Sequence, residues 1–212
     1  MNCRPEDMLV YAVTDRAWLK GESLKDQVEK ALKGGVTFVQ LREKNLDRRL
    51  FLEEAATIKE LCDSFHVPFV INDDVEIALA SGADGVHVGA EDMPVAEIRR
   101  LAGPGFIVGA TAKTVAQAQA AQAAGADYLG VGALFSSPTK PNAVGITKEE
   151  LAAICASVTI PAVAIGGITQ ENLPQLAGSG AVGAAVVSAL FGAQDVRAAA
   201  QALDRLTRTI FP

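Results

Sequence analysis

Eight times in 212 residues, a short apolar run is followed by a segment with helical spacing. The runs are Leu9–Thr14, Val36–Leu41, Pro68–Ile71, Val86–Val88, Phe106–Ala110, Tyr128–Val131, Pro161–Ile165 and Val182–Val187. Nearly unbroken apolar runs of this length mark strands buried on both faces, as in parallel sheets. Ser23, Asp47, Thr114 and Thr147 stand where helices begin. Their side-chain oxygens suit the N-cap, where a backbone N–H lacks a partner. Val28, Ala31 and Leu32 form the apolar stripe of the first helix, which Gly34-Gly35 stops. Pro94 fits a first helical turn. Thr169 opens a helix to about Ala177, and the last helix covers roughly Val196 to Thr209. Gly-Ala-Asp recurs at 82–84 and 125–127, each time as the return from helix to strand. This rhythm predicts an α/β chain whose residues 1–212 form one (β/α)8 barrel. An open doubly wound sheet is the alternative. It calls for a glycine-rich nucleotide fingerprint in the first βα turn, and none is present there.

Composition narrows the class. Half the residues are apolar and the net charge is −6, so an overall basic footprint for nucleic acid is absent. A local anion site is still allowed. Cys3, Cys62 and Cys155 lie far apart with no metal-ligand spacing, which fits a reducing compartment. The start of the chain carries Glu6 and Asp7 and lacks the apolar core of a signal peptide. No apolar run approaches the roughly 18 residues of a membrane span. The expectation is a cytoplasmic protein with neither nucleic-acid nor membrane partners. Self-association stays open.

In such barrels the chemistry gathers where the strands end. The second run ends in Gln40-Leu41-Arg42-Glu43-Lys44. Alternation puts Gln40, Arg42 and Lys44 on one face, an amide and two cations suited to a diphosphate. A solvated loop with Glu43 paired locally is the competing reading. The third run ends in Asn72-Asp73-Asp74 and the fourth in Gly89-Ala90-Glu91-Asp92. Either acidic turn alone reads as a helix cap. If the two strands are neighbours, Asp73 and Asp92 face one small volume and can hold Mg²⁺, with substrate phosphates completing the shell. His87 reads as a packed, satisfied strand residue rather than a ligand. Thr111 and Lys113 end the fifth run with a hydroxyl and a cation. A long turn follows the sixth, carrying Ser136-Ser137-Pro138-Thr139-Lys140. Gly166-Gly167 and Val187-Ser188 end the last two. Glycine admits close backbone approach, and loops at these places often bind phosphate. Two centres result, one with Arg42, Lys44, Asp73 and Asp92, the other with Ser137, Thr139, Gly167 and Ser188. Two phosphorylated substrates meeting over a barrel mouth is the economical reading.

QLREK at 40–44, INDD at 71–74, GADGVHVGAEDMP at 82–94, GADYLGVG at 125–132 and AIGGI at 164–168 together resemble the thiamine-phosphate synthase (thiamine-phosphate pyrophosphorylase) family. The resemblance covers essentially the whole chain. It implies a (β/α)8 barrel that joins a hydroxymethylpyrimidine diphosphate to a thiazole phosphate, or its carboxylated form, with loss of diphosphate. It implies that Gln40, Leu41, Arg42, Glu43, Lys44, Asn72, Thr111 and Lys140 hold the pyrimidine diphosphate. It makes Asp73 and Asp92 ligands of Mg²⁺, and it gives Ser137, Pro138, Thr139, Gly167, Val187 and Ser188 to the thiazole phosphate. The chain departs from the family in three places. Thr111 stands where Ser is usual, and Lys113 where His is usual. The turn reads Ser137-Pro138-Thr139-Lys140 where the family commonly has Thr-x-Thr-Lys and a longer tail.

The expected chemistry is a dissociative substitution. Arg42, Lys44, Lys140 and Mg²⁺ answer the leaving diphosphate, and no protein nucleophile is needed. Two rivals are a thiazole tautomerase of the same family and a non-catalytic phosphate-ligand sensor. Lys113 and the intact acidic pair weigh against the first. Retention of the charged groups weighs against the second.

Overall fold

The computed structural model describes residues 3–136 and 145–211. Eight parallel strands close in sequence order into a barrel. They are β1 (Val10–Val13), β2 (Phe38–Leu41), β3 (Phe69–Asn72), β4 (Gly85–Val88), β5 (Ile107–Ala112), β6 (Tyr128–Gly132), β7 (Ala162–Ile165) and β8 (Gly183–Val186). Around them lie α1 (Leu24–Lys33), α2 (Arg48–Ser64), α3 (Val75–Ser81), α4 (Val95–Ala102), α5 (Val115–Ala123), α6 (Lys148–Ala156), α7 (Ser188–Phe191) and α8 (Val196–Ile210). The caps expected at Ser23, Asp47, Thr114 and Thr147 are all made, the last as a reciprocal capping box with Glu150. One unit differs. The segment after β7 forms a single 3-10 turn, Leu173–Leu176, instead of a helix from Thr169. The Asn172 amide donates to the Gly167 carbonyl and accepts from the Thr169 N–H, which ties the segment to the strand end before a helix can start. Among the described residues, no helix is long and apolar enough to cross a membrane.

Strand alternation divides the core into two layers. Val39, Leu41, Phe69, Ile71, Val86, Val108, Leu129 and Val131 point outward and pack under the helices. Tyr11, Val13, Phe38, Val70, Ile107, Tyr128, Val163 and Ala185 point inward and fill the barrel with Cys3 and Met8. Both tyrosines of the chain are therefore inside it. Their rings and that of Phe38 pack at centroid distances of 4.5 to 5.9 Å.

The repeated Gly-Ala-Asp return has a structural cause. Asp84 accepts from the Phe69 N–H at 2.8 Å, and Asp127 accepts from the Val108 N–H at 2.9 Å. Each carboxylate satisfies a backbone donor at the start of the preceding strand, where the sheet offers none. Arg99 reinforces the second return. It donates to the Gly125 carbonyl at 2.7 Å, to the Phe106 carbonyl and to Asp127.

Candidate active site

The same parity that fills the barrel builds its mouth. The last inward positions of the strands include Val13, Gln40, Asn72, His87, Thr111, Gly132 and Ile165. With Arg42, Lys113, Gly167, Val187 and Ser188 they line one cavity of about 190 Å³. A larger groove of about 570 Å³ opens at the other end, against Pro68, Asp84 and Phe106. Its charged walls are already committed: Asp84 to a backbone N–H and to Lys59, and Asp63 to Lys59. The mouth is the better candidate, because it gathers polar ends from many strands.

Gln40, Arg42, Asn72, Thr111, Gly167, Val187 and Ser188 thus meet in one place, as expected. Leu41 does not join them. It is fully buried in the outer layer, because strand parity turns it away from the mouth. The Glu43 side chain is 4% exposed and is bound by Arg16, which also pairs with Glu54. Burial raises its pKa against the pull of Arg16. Local pairing, the competing reading of Glu43, is what its geometry shows. Arg42 points into the cavity. Its N–H donates to the Thr14 hydroxyl at 2.9 Å, and its guanidinium lies 3.7 Å from Asp15. Lys44 is exposed, outside the cavity lining, and close enough to Asp73 to act on its charge. Ser137, Pro138, Thr139 and Lys140 lie outside the described residues.

The acidic turns do come together. β3 and β4 are neighbours, with Asn72 opposite His87, and the Asp73 N–H donates to the His87 carbonyl at 2.8 Å. Asp73 sits at φ +65°, a left-handed backbone that Asp and Asn tolerate better than most side chains. Its pKa is pushed up to about 6, first by burial and then by the Asp92 carboxyl beside it, while Asn72 and Lys44 pull it down. Asp92 also accepts from the Gly89 N–H at 2.7 Å. Asp74, next in sequence, is the helix cap, accepting from the Ile77 N–H and pairing with Arg48. Among the described residues no third His, Cys, Asp or Glu joins the pair to make a metal cluster. Two adjacent hard oxygen donors that repel each other fit Mg²⁺, which usually takes one or two carboxylates and leaves its other positions to water and phosphate.

Two features were not anticipated. Gly166 and Gly167 have φ of +105° and +62°, and a Cβ on either would fall 2.5 Å from the backbone of Ala133 or of Phe135 and Ser136. The pair seats the chain leaving β6, in addition to whatever its N–H groups bind. His87, expected as a packed and satisfied strand residue, is satisfied by hydrogen bonds to Thr111 and Tyr128, but it also stands in the cavity wall. The signal was parity. His87 alternates with Val86 and Val88, which pack in the outer layer, so it faces inward.

Comparisons with known proteins bear on the family and the fold. The family described as thiamine monophosphate synthase matches residues 10–190. The thiamine-phosphate synthase of Ruminiclostridium cellulolyticum is 46% identical over 197 residues, 93% of this chain and 94% of that one. The corresponding protein of Coprothermobacter proteolyticus is 42% identical over 201 residues, 95% of each chain. A solved thiamine phosphate pyrophosphorylase from Pyrococcus furiosus superposes with a TM-score of 0.91 at 38% identity, covering 98% of this chain and 99% of that one.

Proposed function

This chain belongs to the thiamine monophosphate synthase family and is a transferase of thiamine biosynthesis, and from that premise we propose how its mouth works. A 4-amino-2-methyl-5-hydroxymethylpyrimidine diphosphate binds with its ring between Gln40, Asn72 and Thr111. Its diphosphate lies toward Arg42 and Lys44. A thiazole phosphate occupies the side formed by Gly167, Val187 and Ser188. The observation that carries this reading is the single cavity in which amide and hydroxyl groups, a cation and two strand-end backbone turns converge, with the acidic pair beside it.

Asp73 and Asp92 would hold Mg²⁺. When bound, the metal supplies positive charge to the oxygens of the departing diphosphate. Arg42 donates a planar fork to the same leaving group, and its backbone is fixed by Thr14. Asn72 and Gln40 orient the ring. Val13, Ile165 and Val187 give the cavity an apolar wall that excludes water from the reactive methylene. The aminopyrimidine supports a cationic methylene as diphosphate leaves, and the thiazole nitrogen captures it. No protein nucleophile takes part. The substrates are small phosphorylated heterocycles, and the three unpaired thiols accord with a cytoplasmic setting.

The test is to mix the purified protein with both substrates and follow diphosphate release with and without Mg²⁺. Release that needs both substrates and the metal supports the reading. Release from the pyrimidine substrate alone at the full rate, or no metal dependence, overturns it.

A further inference from the structure

A continuous chain of polar atoms crosses the barrel just below the mouth. Gln40 Nε2 lies 2.8 Å from Tyr11 Oη, and Tyr11 Oη lies 2.6 Å from Tyr128 Oη. Tyr128 Oη is 3.1 Å from His87 Nδ1, and His87 Nε2 is 3.1 Å from Thr111 Oγ1. Both ends, Gln40 and Thr111, line the cavity, on strands β2 and β5. The two phenols between them are buried. Burial raises both of their pKa values, so each keeps one hydrogen at neutral pH.

With His87 as a neutral imidazole, counting hydrogens leaves the chain two orders. Each phenol has one, and a neutral imidazole has one N–H. If the Gln40 amide donates to Tyr11, then Tyr11 donates to Tyr128, Tyr128 to His87 Nδ1, and His87 Nε2–H to Thr111. The Thr111 hydrogen is then free for the cavity, and Gln40 turns its carbonyl oxygen there. The reverse order has Thr111 donating to His87 and every later bond reversed. Tyr11 then donates to the Gln40 carbonyl, and the Gln40 NH₂ faces the cavity. A mixed order leaves a contact with two hydrogens or none, or strands a phenol hydrogen of Tyr11 or Tyr128 without an acceptor, and inside the barrel, where both phenols are buried, that is costly.

We propose that Tyr11, Tyr128 and His87 are positioning residues, a relay that couples Gln40 to Thr111 so that the two cavity walls always show opposite polarity, one accepting and the other donating. Resting on the substrate reading above, this selects a heterocycle with a donor and an acceptor on opposite edges. A 4-aminopyrimidine has that pattern, with its amino group at C4 and an acceptor at N1 across the ring. The strand glycines support the relay independently. A Cβ on Gly109 would lie 2.1 Å from the Tyr128 ring, and one on Gly130 would lie 3.0 Å from the His87 ring. Each ring occupies the space of a missing side chain on another strand, β5 for Tyr128 and β6 for His87.

The test uses two unreactive probes in which the diphosphate is attached through carbon. One has the 4-amino ring. The other is its 4-methoxy counterpart, whose two edges both accept. The wild-type protein is expected to bind the amino probe about tenfold more tightly, the size of one satisfied polar contact. Tyr128→Phe and, separately, Tyr11→Phe keep the rings and cut the relay at two different places. Each is expected to reduce the preference to about twofold while the affinity for inorganic diphosphate with Mg²⁺ hardly moves, a split that a general loss of packing does not produce. Thermal melts establish that both variants fold. Full preference in both folded variants, or no preference in the wild type, overturns the relay and leaves the substrate reading standing. Failure of the wild type to bind either probe overturns the substrate reading, and the relay with it.

Discussion

The two ends of the barrel use aspartate in opposite ways. At the N-terminal end, Asp84 and Asp127 follow helices and enter strands, and their carboxylates accept from strand N–H groups. Arg99 neutralises Asp127 and closes three carbonyl and carboxylate contacts at once. At the C-terminal end, Asp73 and Asp92 follow strands and lie against each other, and burial with the Asp92 charge pushes the Asp73 pKa up to about 6. Charge is matched below and left in excess above. The first arrangement stabilises; the second leaves the charges available to a cation and an anion. An acidic turn is therefore read by which end of a strand it occupies.

Substitutions at the two ends should separate stability from activity. The largest effect is expected from Asp127→Ala, which strands the partly buried Arg99 and a strand N–H. It should cost roughly 3–5 kcal/mol, seen as a fall of roughly 10 °C in Tm, with turnover per folded molecule kept. Equal stability would remove the structural role assigned to the lower end. Arg42→Ala at the mouth should lower kcat/KM for the pyrimidine diphosphate by about thirtyfold, about 2 kcal/mol for charged hydrogen bonds to the leaving group. Its Tm should hardly change, and a large loss of stability would place Arg42 with the lower-end residues.

Next comes pH. A proton on Asp73 competes with the metal below its pKa of about 6. The Mg²⁺ concentration for half-maximal rate should rise as pH falls through 6, and a flat dependence between pH 5 and 7.5 would disconnect Asp73 from the metal. The smallest effect concerns stability without metal. The folded pKa is raised above that of the unfolded chain, so the folded state binds more protons between about pH 4 and 6. The group's contribution therefore declines as pH rises across that window, the reverse of a salt-bridged carboxylate. Asp73→Asn keeps the left-handed backbone and removes the charge. It should raise Tm slightly at pH 7 without metal, measured by calorimetry, and a lowered Tm there would contradict the charge penalty.

Much of the fold was legible because it follows from local chemistry. Period, caps and Gly-Ala-Asp returns are each decided within a few residues of sequence. The unit after β7 was not, because its 3-10 turn depends on Asn172 reaching back to Gly167. In the site, the pairing of Asp73 with Asp92 could be read once β3 and β4 were taken as neighbours. Leu41 could have been set aside by the alternation that selects Gln40 and Arg42. His87 needed more: its partners come from β5 and β6, and only the register between those strands brings Thr111 and Tyr128 to its two nitrogens.

Diphosphate release by Asp92→Ala, titrated with Mg²⁺ beside the wild-type protein with both substrates present, bears most directly on the mouth as the working end. The expected result is a folded variant with a near-unchanged Tm whose turnover falls by about a thousandfold, several kcal/mol of charge stabilisation lost, and does not return with added metal. Turnover close to wild type at the same Mg²⁺ requirement would contradict it.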